Sequence, residues 1–287
     1  MPDGQGDIGL EVLRARPPEG VAAHETPLLF LHGAYAGAWC WAESFLPGFA
    51  AQGWDCTAFS FRGHGDSGGR QRLNAFGIDD YVKDLEAILT DFDRPPVLIG
   101  HSMGGFVAMR YLERVGVEKA AGLVLLSSVP PGGLWGPSLS MMAFQPSLYL
   151  EIGMLQSGDP SAVTLKTLNK ALFTPNSPDG SADAYFARMD GESQRAVLEL
   201  HSNAKVDIDL LRNGLPTLVL GAEHDALIPP AYVRATGRQL DSRAIILKGL
   251  GHGMMLGPDA HVTAGHIAQW LAEEGLAEEG LADEDFS

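Results

Sequence analysis

The sequence predicts an α/β protein whose core is a mostly parallel β-sheet flanked by helices. Short apolar runs recur along the chain, and most of them are continuous rather than alternating with polar residues. Segments with the spacing of amphipathic helices lie between these runs. Continuous apolar runs are typical of strands covered on both faces, and their alternation with helices is typical of a parallel sheet.

Six apolar runs are the predicted strands. They cover residues 27–33, 54–61, 96–102, 122–128, 216–225 and 243–252. The clearest helical segments span residues 78–92 and 103–115. In the first of these helices Tyr81, Leu85 and Ile88 share one stripe, as expected for a helix that packs one face against a sheet.

One long interval, residues 134–213, contains no convincing strand. It offers two helix-compatible segments, 141–156 and 162–173, and sequences rich in Pro and Gly mark both of its ends. We therefore expect an inserted helical cap. The expected division is a core of residues 1–133 and 214–272, a cap of residues 134–213 and an acidic tail of residues 273–287.

Six apolar side chains of the cap are candidates for lining a pocket. They are Trp135, Met141, Met142, Phe144, Tyr149 and Met154. Ordinary packing inside the cap is the alternative for each of them, because apolar residues at helical spacing serve both purposes.

The chain is acidic, with 287 residues and a formal net charge of −16. Such a charge repels phosphate polymers and anionic lipid surfaces, so we expect neither a nucleic-acid partner nor a membrane-surface partner. The last fifteen residues carry seven carboxylates and no basic residue. We expect them to form a solvated tail.

No segment predicts a signal peptide or a membrane span, because no run approaches the roughly eighteen apolar residues that a span needs. Cys40 and Cys56 fall in a predicted helix and a predicted strand, and we expect reduced thiols at both. These features predict a cytoplasmic protein. We also expect a small-molecule partner and no cofactor. Nothing in the sequence indicates an oligomeric state.

The segment GHSMGG, which begins at Gly100, joins a predicted strand to a predicted helix and matches the pattern G-x-S-x-G. The pattern alone is weak in a glycine-rich chain, but its position adds weight. A sharp strand-to-helix turn lifts a serine out of the sheet edge, and small residues at Gly100 and Gly104 allow the close packing that the turn requires. We therefore predict Ser102 as a nucleophile, with the Met103 N–H free at the start of the helix.

A serine nucleophile requires a base, and the base requires an acid that orients it. His252 follows the last predicted strand between two glycines and lies at the same sheet edge as Ser102, so it is the predicted base. His101 adjoins the serine, but its side chain is expected to diverge. Asp225 is the predicted acid and Glu223 the rival, since both end the preceding predicted strand.

The oxyanion of an acyl-transfer reaction needs at least two backbone donors. In FLHGAYAGAW, the His32–Gly33 turn can expose the N–H of Ala34 beside that of Met103. We predict Ala34 as the second donor, with Tyr35 as the alternative. The Gly-rich loop 61–69 does not have the spacing of a phosphate-binding loop, and no pair of His or Cys has the spacing of metal ligands, so we expect no metal.

Five segments, FLHGAYAGAWCW, FSFRGHGDSGG, LIGHSMGG, LVLGAEHDALIP and GLGHGMML, together resemble the landmarks of the α/β-hydrolase superfamily. The resemblance covers residues 25–272 and implies an eight-stranded, mostly parallel sheet with a lid inserted after the sixth strand. It also implies the triad Ser102, Asp225 and His252, and an oxyanion hole formed by the N–H groups of Ala34 and Met103. One departure is Ser60, because relatives commonly carry aspartate before the RGHG loop.

This resemblance implies a serine hydrolase that cleaves carboxylic esters of small-to-medium apolar substrates. Epoxide-opening and dehalogenating relatives use aspartate at the nucleophile position, so Ser102 argues against both reactions. Lactonase, perhydrolase, carbon–carbon hydrolase and proline aminopeptidase are the alternatives on the same scaffold. A ligand-binding receptor with an unused triad is the alternative that is not an enzyme.

Overall fold

A computed structural model describes residues 8–156, 165–174, 183–202, 205–212 and 214–277 of the chain. These residues form one β-sheet of seven strands in the order β1-β3-β2-β4-β5-β6-β7. The strands are β1 Val12–Ala15, β2 Leu28–Leu31, β3 Cys56–Phe59, β4 Val97–His101, β5 Gly122–Leu126, β6 Thr217–Ala222 and β7 Arg243–Leu247. Only β1 pairs antiparallel with its neighbour, which confirms the prediction of a mostly parallel sheet.

The described residues form seven strands, whereas the expectation was eight. The described chain forms one strand before β2, since the connection from residue 16 to residue 27 contains Pro17, Pro18 and Pro27, and proline cannot donate to a ladder. The six apolar runs each contain a strand, whereas β1 was missed. None of its four side chains is fully buried, so this edge strand lacks a continuous apolar run.

The described helices either cover a face of the sheet or lie within residues 134–213. They are α1 Trp39–Ala42, α2 Phe45–Ala51, α3 Ile78–Leu89, α4 Met103–Val115, α5 Trp135–Phe144, α6 Pro146–Gln156, α7 Leu165–Leu172, α8 Asp183–Phe186, α9 Gln194–Ser202, α10 Pro230–Gln239 and α11 Ala260–Glu273. On one face α1, α2 and α11 bury Trp41 and Trp270. On the other, α3, α4 and α10 bury Leu85 and Phe106. This double cover is why β2 to β5 are buried on both sides and consist of continuous apolar runs.

The interval 134–213 contains α5 to α9, and its described residues include no strand. The predicted helical segment 141–156 is two helices, because the backbone leaves helical geometry at Gln145 and α6 starts at Pro146. A proline ring clashes with the preceding turn of a helix but fits a first helical position. Residues 162–164 of the second predicted segment lie outside the described residues, and the core, cap and tail boundaries stay predictions.

Two further predictions concern the chain end and the cysteines. The end of the predicted acidic tail, residues 278–287, lies outside the described residues, whereas Leu276 packs against the core beyond α11. Cys40 and Cys56 are free thiols, as expected, and both are buried. Burial raises the pKa of both thiols well above the ordinary value, so neither is a ready nucleophile.

Candidate active site

Ser102 occupies a sharp turn between β4 and α4. Its backbone has φ 50° and ψ −116°, which is rarely adopted by residues with a side chain and costs on the order of 1–3 kcal/mol. Hydrogen bonds hold the turn on both sides, from Ser102 N–H to the carbonyl of Leu126 at 3.0 Å and from Val129 N–H to the carbonyl of Ser102 at 3.0 Å. The strained conformation is therefore stabilised by the neighbouring strand.

The turn also depends on small residues around it. A Cβ atom placed on Gly100 would lie 2.5 Å from the Cα of Gly105. One placed on Gly104 would lie 2.5 Å from the carbonyl oxygen of His32. The glycines thus allow β4, α4 and the loop after β2 to approach each other around Ser102.

His252 and Asp225 form a buried hydrogen-bonded pair after β7 and β6. The distance from His252 Nδ1 to Asp225 Oδ2 is 2.8 Å, and the other carboxylate oxygen accepts the N–H groups of Leu227 at 2.9 Å and Ile228 at 2.8 Å. A carboxylate only accepts hydrogen bonds, so Nδ1 carries the hydrogen and Nε2 of the neutral ring carries the lone pair. Asp225 thereby selects the tautomer in which Nε2 can take a proton.

Glu223, the rival acid, lies elsewhere. Its carboxylate is about half exposed and accepts the N–H of Gly249 at 2.9 Å. The same oxygen lies 3.7 Å from Nε2 of the neighbouring His224, so Glu223 makes its contacts at the surface, whereas Asp225 is the carboxylate bonded to His252.

His101 is the histidine next to Ser102, and it supports the loop of His252. Its Nε2 lies 2.9 Å from the backbone carbonyl of His252, so Nε2 donates the hydrogen bond. Burial, together with the nearby His252 ring, lowers the pKa of His101 well below the ordinary value. His101 is therefore a neutral side chain that positions the His252 backbone, which the sequence pattern did not reveal.

The loop after β2 orients the Ala34 N–H through His32. His32 Nε2 accepts the N–H of Phe61 at 2.9 Å, so Nδ1 carries the hydrogen and donates to the carbonyl of Gly33 at 2.8 Å. Burial, followed by the effect of His64, lowers the pKa of His32 to about 3, which agrees with a neutral ring. In a trans peptide the C=O and N–H point in opposite directions, so the Ala34 N–H points away from His32.

The three predicted backbone donors differ in their partners. Within the described residues, the N–H groups of Ala34 and Met103 form no backbone hydrogen bond. The Tyr35 N–H donates to Glu192 Oε2 at 3.4 Å. Ala34 and Met103 therefore have free donors beside Ser102, and the alternative Tyr35 has its donor engaged.

One cavity joins these groups. It has a volume of about 440 Å³, within the range of small-molecule sites, and most of its wall is apolar. It is lined by Ser102 and His252 together with Ala34, Met103 and side chains of the cap. The structure thus brings together every predicted site residue except Asp225, which contacts the cavity through His252.

Only some of the six apolar cap candidates reach this cavity. Met141 and Tyr149 line it. Trp135, Met142, Phe144 and Met154 do not, and each is exposed on the protein surface. The helical pattern places all six on cap helices, but only the packing of those helices selects the side chains that face Ser102.

A second buried histidine–carboxylate pair lies behind the Ala34 loop. His64 Nε2 is 3.2 Å from Glu192 Oε2, and both side chains are fully buried. Glu192 also accepts the Tyr81 hydroxyl at 2.7 Å and the Ser193 N–H at 2.7 Å. Glu192 precedes α9, so this cluster connects the cap interval to the Tyr35 loop. The sequence marked His64 only as part of the RGHG loop and gave no sign of its pairing with Glu192.

The departure at Ser60 has a local compensation. Ser60 Oγ donates to Glu11 Oε2 at 2.5 Å and accepts the Ala38 N–H at 2.8 Å. The same Glu11 oxygen accepts the Asp66 N–H at 3.1 Å. A carboxylate from the edge strand region therefore holds the loop that follows Ser60.

Comparisons with known proteins agree with this architecture. A model of the alpha/beta hydrolase family matches residues 28–264. A non-heme chloroperoxidase of Kitasatospora aureofaciens is 26% identical over 253 residues, covering 81% of this chain and 86% of that protein. A monoacylglycerol lipase of Mycolicibacterium smegmatis is 25% identical over 238 residues, covering 78% of this chain and 80% of that protein.

Solved structures show the same fold. An esterase from Exiguobacterium antarcticum superposes with a TM-score of 0.74 at 18% identity, covering 92% of this chain and 96% of that one. The esterase RhEst1 from a Rhodococcus species has a TM-score of 0.71 at 24% identity, covering 92% and 99%.

Metal-ligand clusters and membrane-spanning helices are both absent from the described ranges. No three His, Cys, Asp or Glu side chains there are grouped as metal ligands. None of the helices described there has the length and apolar character to cross a membrane.

Proposed function

Because the chain belongs to the alpha/beta hydrolase family and is an enzyme of that superfamily, we propose that it is a serine hydrolase acting on carboxylic esters of small-to-medium apolar substrates. The observation that carries the proposal is the buried hydrogen bond from His252 Nδ1 to Asp225, with His252 and Ser102 on one cavity. A neutral imidazole whose Nε2 is free to accept a proton is the base that a serine hydroxyl needs.

In the proposed reaction, Ser102 Oγ attacks the ester carbonyl carbon while its proton passes to His252 Nε2. The tetrahedral intermediate collapses, His252 returns that proton to the leaving alkoxide, and an alcohol departs from the acyl-enzyme. Water then gives a proton to His252 and attacks the acyl carbon to form a second tetrahedral intermediate. This intermediate collapses as His252 passes the proton to Ser102 Oγ, which releases the acid and restores the free enzyme. Asp225 stays ionised throughout and stabilises the imidazolium.

The Ala34 and Met103 N–H groups are the proposed oxyanion hole. Both lack backbone partners in the described part of the chain, and Met103 begins α4, where the helix dipole favours negative charge. His32 and His101 are proposed as positioning residues, because one holds the Gly33 carbonyl and the other holds the His252 carbonyl.

The apolar cavity supports an ester with apolar acyl or alcohol groups. Val129, Leu134, Ile152 and Leu227 contribute to its wall, and a chain of several methylene groups would be removed from water there. Ser102 as nucleophile argues against epoxide opening and dehalogenation, since the proposed acyl-enzyme requires an acyl donor.

Perhydrolysis is the second candidate, because the relative that matches 81% of this chain is named a non-heme chloroperoxidase. The same acyl-enzyme would be attacked by hydrogen peroxide instead of water, releasing a peracid. Peracid formation from acetate and hydrogen peroxide, measured against a Ser102→Ala control, tests this branch.

Active-site labelling combined with a substrate panel tests the main proposal. A fluorophosphonate should add to Ser102, located by mass spectrometry of peptides, and p-nitrophenyl acetate, butyrate and octanoate should be hydrolysed. A folded protein that takes no label would support a ligand-binding receptor. If none of these esters is turned over, hydrolysis of an aminoacyl amide, a lactone or a ring-fission diketone would indicate an aminopeptidase, a lactonase or a carbon–carbon hydrolase, respectively.

A further inference from the structure

Two polar side chains face each other in the apolar cap wall of the cavity. Ser138 on α5 and His201 on α9 both line the cavity that Ser102 and His252 line. The distance from Ser138 Oγ to His201 Nε2 is 2.9 Å. Neither residue belongs to the proposed triad or oxyanion hole.

The direction of this hydrogen bond follows from the other ring nitrogen. His201 Nδ1 lies 2.8 Å from the backbone carbonyl of Val197, one helical turn earlier. A carbonyl only accepts, so Nδ1 carries a hydrogen, and in the neutral form of the imidazole Nε2 is then the acceptor. The Ser138 hydroxyl must then donate its only hydrogen to His201, which leaves the lone pairs of Ser138 Oγ as acceptors.

The surroundings make such an acceptor selective. The neighbouring wall includes Leu134, Val197 and Leu200, none of which can hydrogen-bond through its side chain. A ligand group that donates to Ser138 gains a hydrogen bond in a largely apolar site. A group that can only accept meets the same lone pairs and gains nothing, because the Ser138 hydrogen is already used.

We infer that Ser138 and His201 form a polar subsite that accepts a hydrogen bond from a hydroxyl or N–H group on the apolar part of the substrate ester. The inference rests on the proposed ester hydrolysis and specifies its substrate class. The substrates would be esters that carry one hydrogen-bond donor away from the scissile bond, rather than plain alkyl esters.

Pairs of substrates that differ only in whether they carry a hydrogen-bond donor test this preference. The p-nitrophenyl esters of hexanoic, 6-hydroxyhexanoic and 6-methoxyhexanoic acid share a leaving group, as do the corresponding octanoic esters. The monoacetate of hexane-1,6-diol and its methyl ether place the same groups on the alcohol side. We expect kcat/KM for the hydroxyl compound to exceed that for its methoxy partner by about fivefold or more in at least one series, the effect of one neutral hydrogen bond.

Three variants assign that preference to the subsite. Ser138→Ala should bring the hydroxyl-to-methoxy ratio to about one. Ser140→Ala makes the same chemical change on the same helix, outside the cavity lining, and should keep the wild-type ratio. His201→Phe should lower the ratio, because it frees the Ser138 hydrogen to donate to a methoxy oxygen.

The ratio is an internal measurement, so partial unfolding of a variant changes both substrates alike. A wild-type ratio near one in every series, with p-nitrophenyl hexanoate turned over, would overturn the subsite and leave ester hydrolysis standing. A preference that survives Ser138→Ala would also overturn it. If none of the esters, plain or substituted, is hydrolysed, the proposed function fails and the subsite fails with it.

Discussion

The two buried histidine–carboxylate pairs, His252–Asp225 and His64–Glu192, resemble each other in contact and differ in surroundings. Each joins an imidazole nitrogen to a carboxylate oxygen, at 2.8 Å and 3.2 Å respectively, with both side chains withdrawn from solvent. His252 lines the cavity, and its second nitrogen is not engaged by the carboxylate. His64 has its second nitrogen 3.2 Å from the Arg62 carbonyl.

That second nitrogen decides what each pair can do. Both nitrogens of His64 face acceptors, so the ring satisfies them fully only as an imidazolium. Burial lowers the pKa of His64, but the charge and hydrogen bond of Glu192 outweigh this effect and raise it. Burial likewise raises the pKa of Glu192, but His64 outweighs it and lowers the pKa. A histidine–carboxylate pair with a free lone pair supports proton transfer, whereas one with none supports structure.

The largest expected effect comes from replacing Ser102, the side chain that the His252–Asp225 pair is proposed to activate. Ser102→Ala should reduce kcat/KM by about 10³- to 10⁶-fold, since no other group forms the acyl-enzyme. The thermal midpoint should stay near that of the wild type. Steady-state ester hydrolysis with calorimetry checks both, and Ser202→Ala, an exposed serine on α9, is the matched control. An active Ser102→Ala variant would remove the proposed role.

The carboxylate of the His252 pair should have the next largest effect. Asp225→Asn keeps the shape, but an amide no longer favours the hydrogen on Nδ1, so kcat should fall about 10³- to 10⁴-fold. Glu223→Gln, the same kind of change two residues earlier on an exposed side chain, should change kcat less than about twofold. Equal losses in the two variants would contradict the assignment of Asp225.

The corresponding change in the other pair should act on stability. Glu192→Gln leaves the His64 ring buried without its counter-charge, and we expect the free energy of unfolding to fall by about 3 kcal/mol. Urea unfolding measures it. Tyr81→Phe removes one neutral hydrogen bond to the same carboxylate and should cost about 1 kcal/mol. If Glu192→Gln abolished turnover at unchanged stability, the contrast between the pairs would be wrong.

The smallest expected effect is the pH dependence of the His64 pair. Because the pKa of His64 is raised in the folded protein, this group stabilises the fold fully at pH values below its unfolded-state pKa of 6.5. That stabilisation is lost as the pH rises through the folded-state pKa. A lowered Glu192 pKa contributes stability that is present above 4.5 and is lost as the pH falls. The pair should therefore stabilise the fold most between pH 4.5 and 6.5.

Thermal midpoints of wild type and Glu192→Gln, compared from pH 4.5 to 9, test this window. Their difference should be largest in the mildly acidic range and shrink toward pH 9, because the unfolded state no longer holds the His64 proton there. Asp190 and His32 also face His64, and taking the difference between the two proteins cancels most of their titration. A difference that grows with rising pH would contradict the charged pair.

Local pattern predicted most of the fold. The helix expected over residues 103–115 is α4, and each of the six apolar runs contains a strand, because both faces of the sheet are covered. The two failures have different causes. The half-buried edge strand β1 has no apolar run, whereas the break at Gln145 is a local effect of Pro146 that the helical spacing of the segment obscured.

The candidate site likewise has features that the sequence predicted and features that only tertiary contacts decided. The sequence by itself determined the candidates Ser102, Asp225, His252, Ala34 and Met103, because a nucleophile turn, a strand end and a glycine-flanked loop are local features. It left Glu223 and Tyr35 as rivals for the acid and the second donor. Only the tertiary structure shows that Asp225, and not Glu223, bonds to His252, and that the Tyr35 N–H is engaged by Glu192. These contacts join residues that are distant in the chain, so local pattern does not record them.

The tertiary structure alone also decided the roles of the remaining histidines. His64 and Glu192 are 128 residues apart in the chain, and His101 meets the His252 carbonyl across 151 residues. The proton on an imidazole goes to whichever nitrogen faces an acceptor, and no sequence pattern records that facing. For this protein the sequence determined which side chains are candidates for the reaction, and the packing of the chain decided which ring nitrogen of each histidine faces an acceptor.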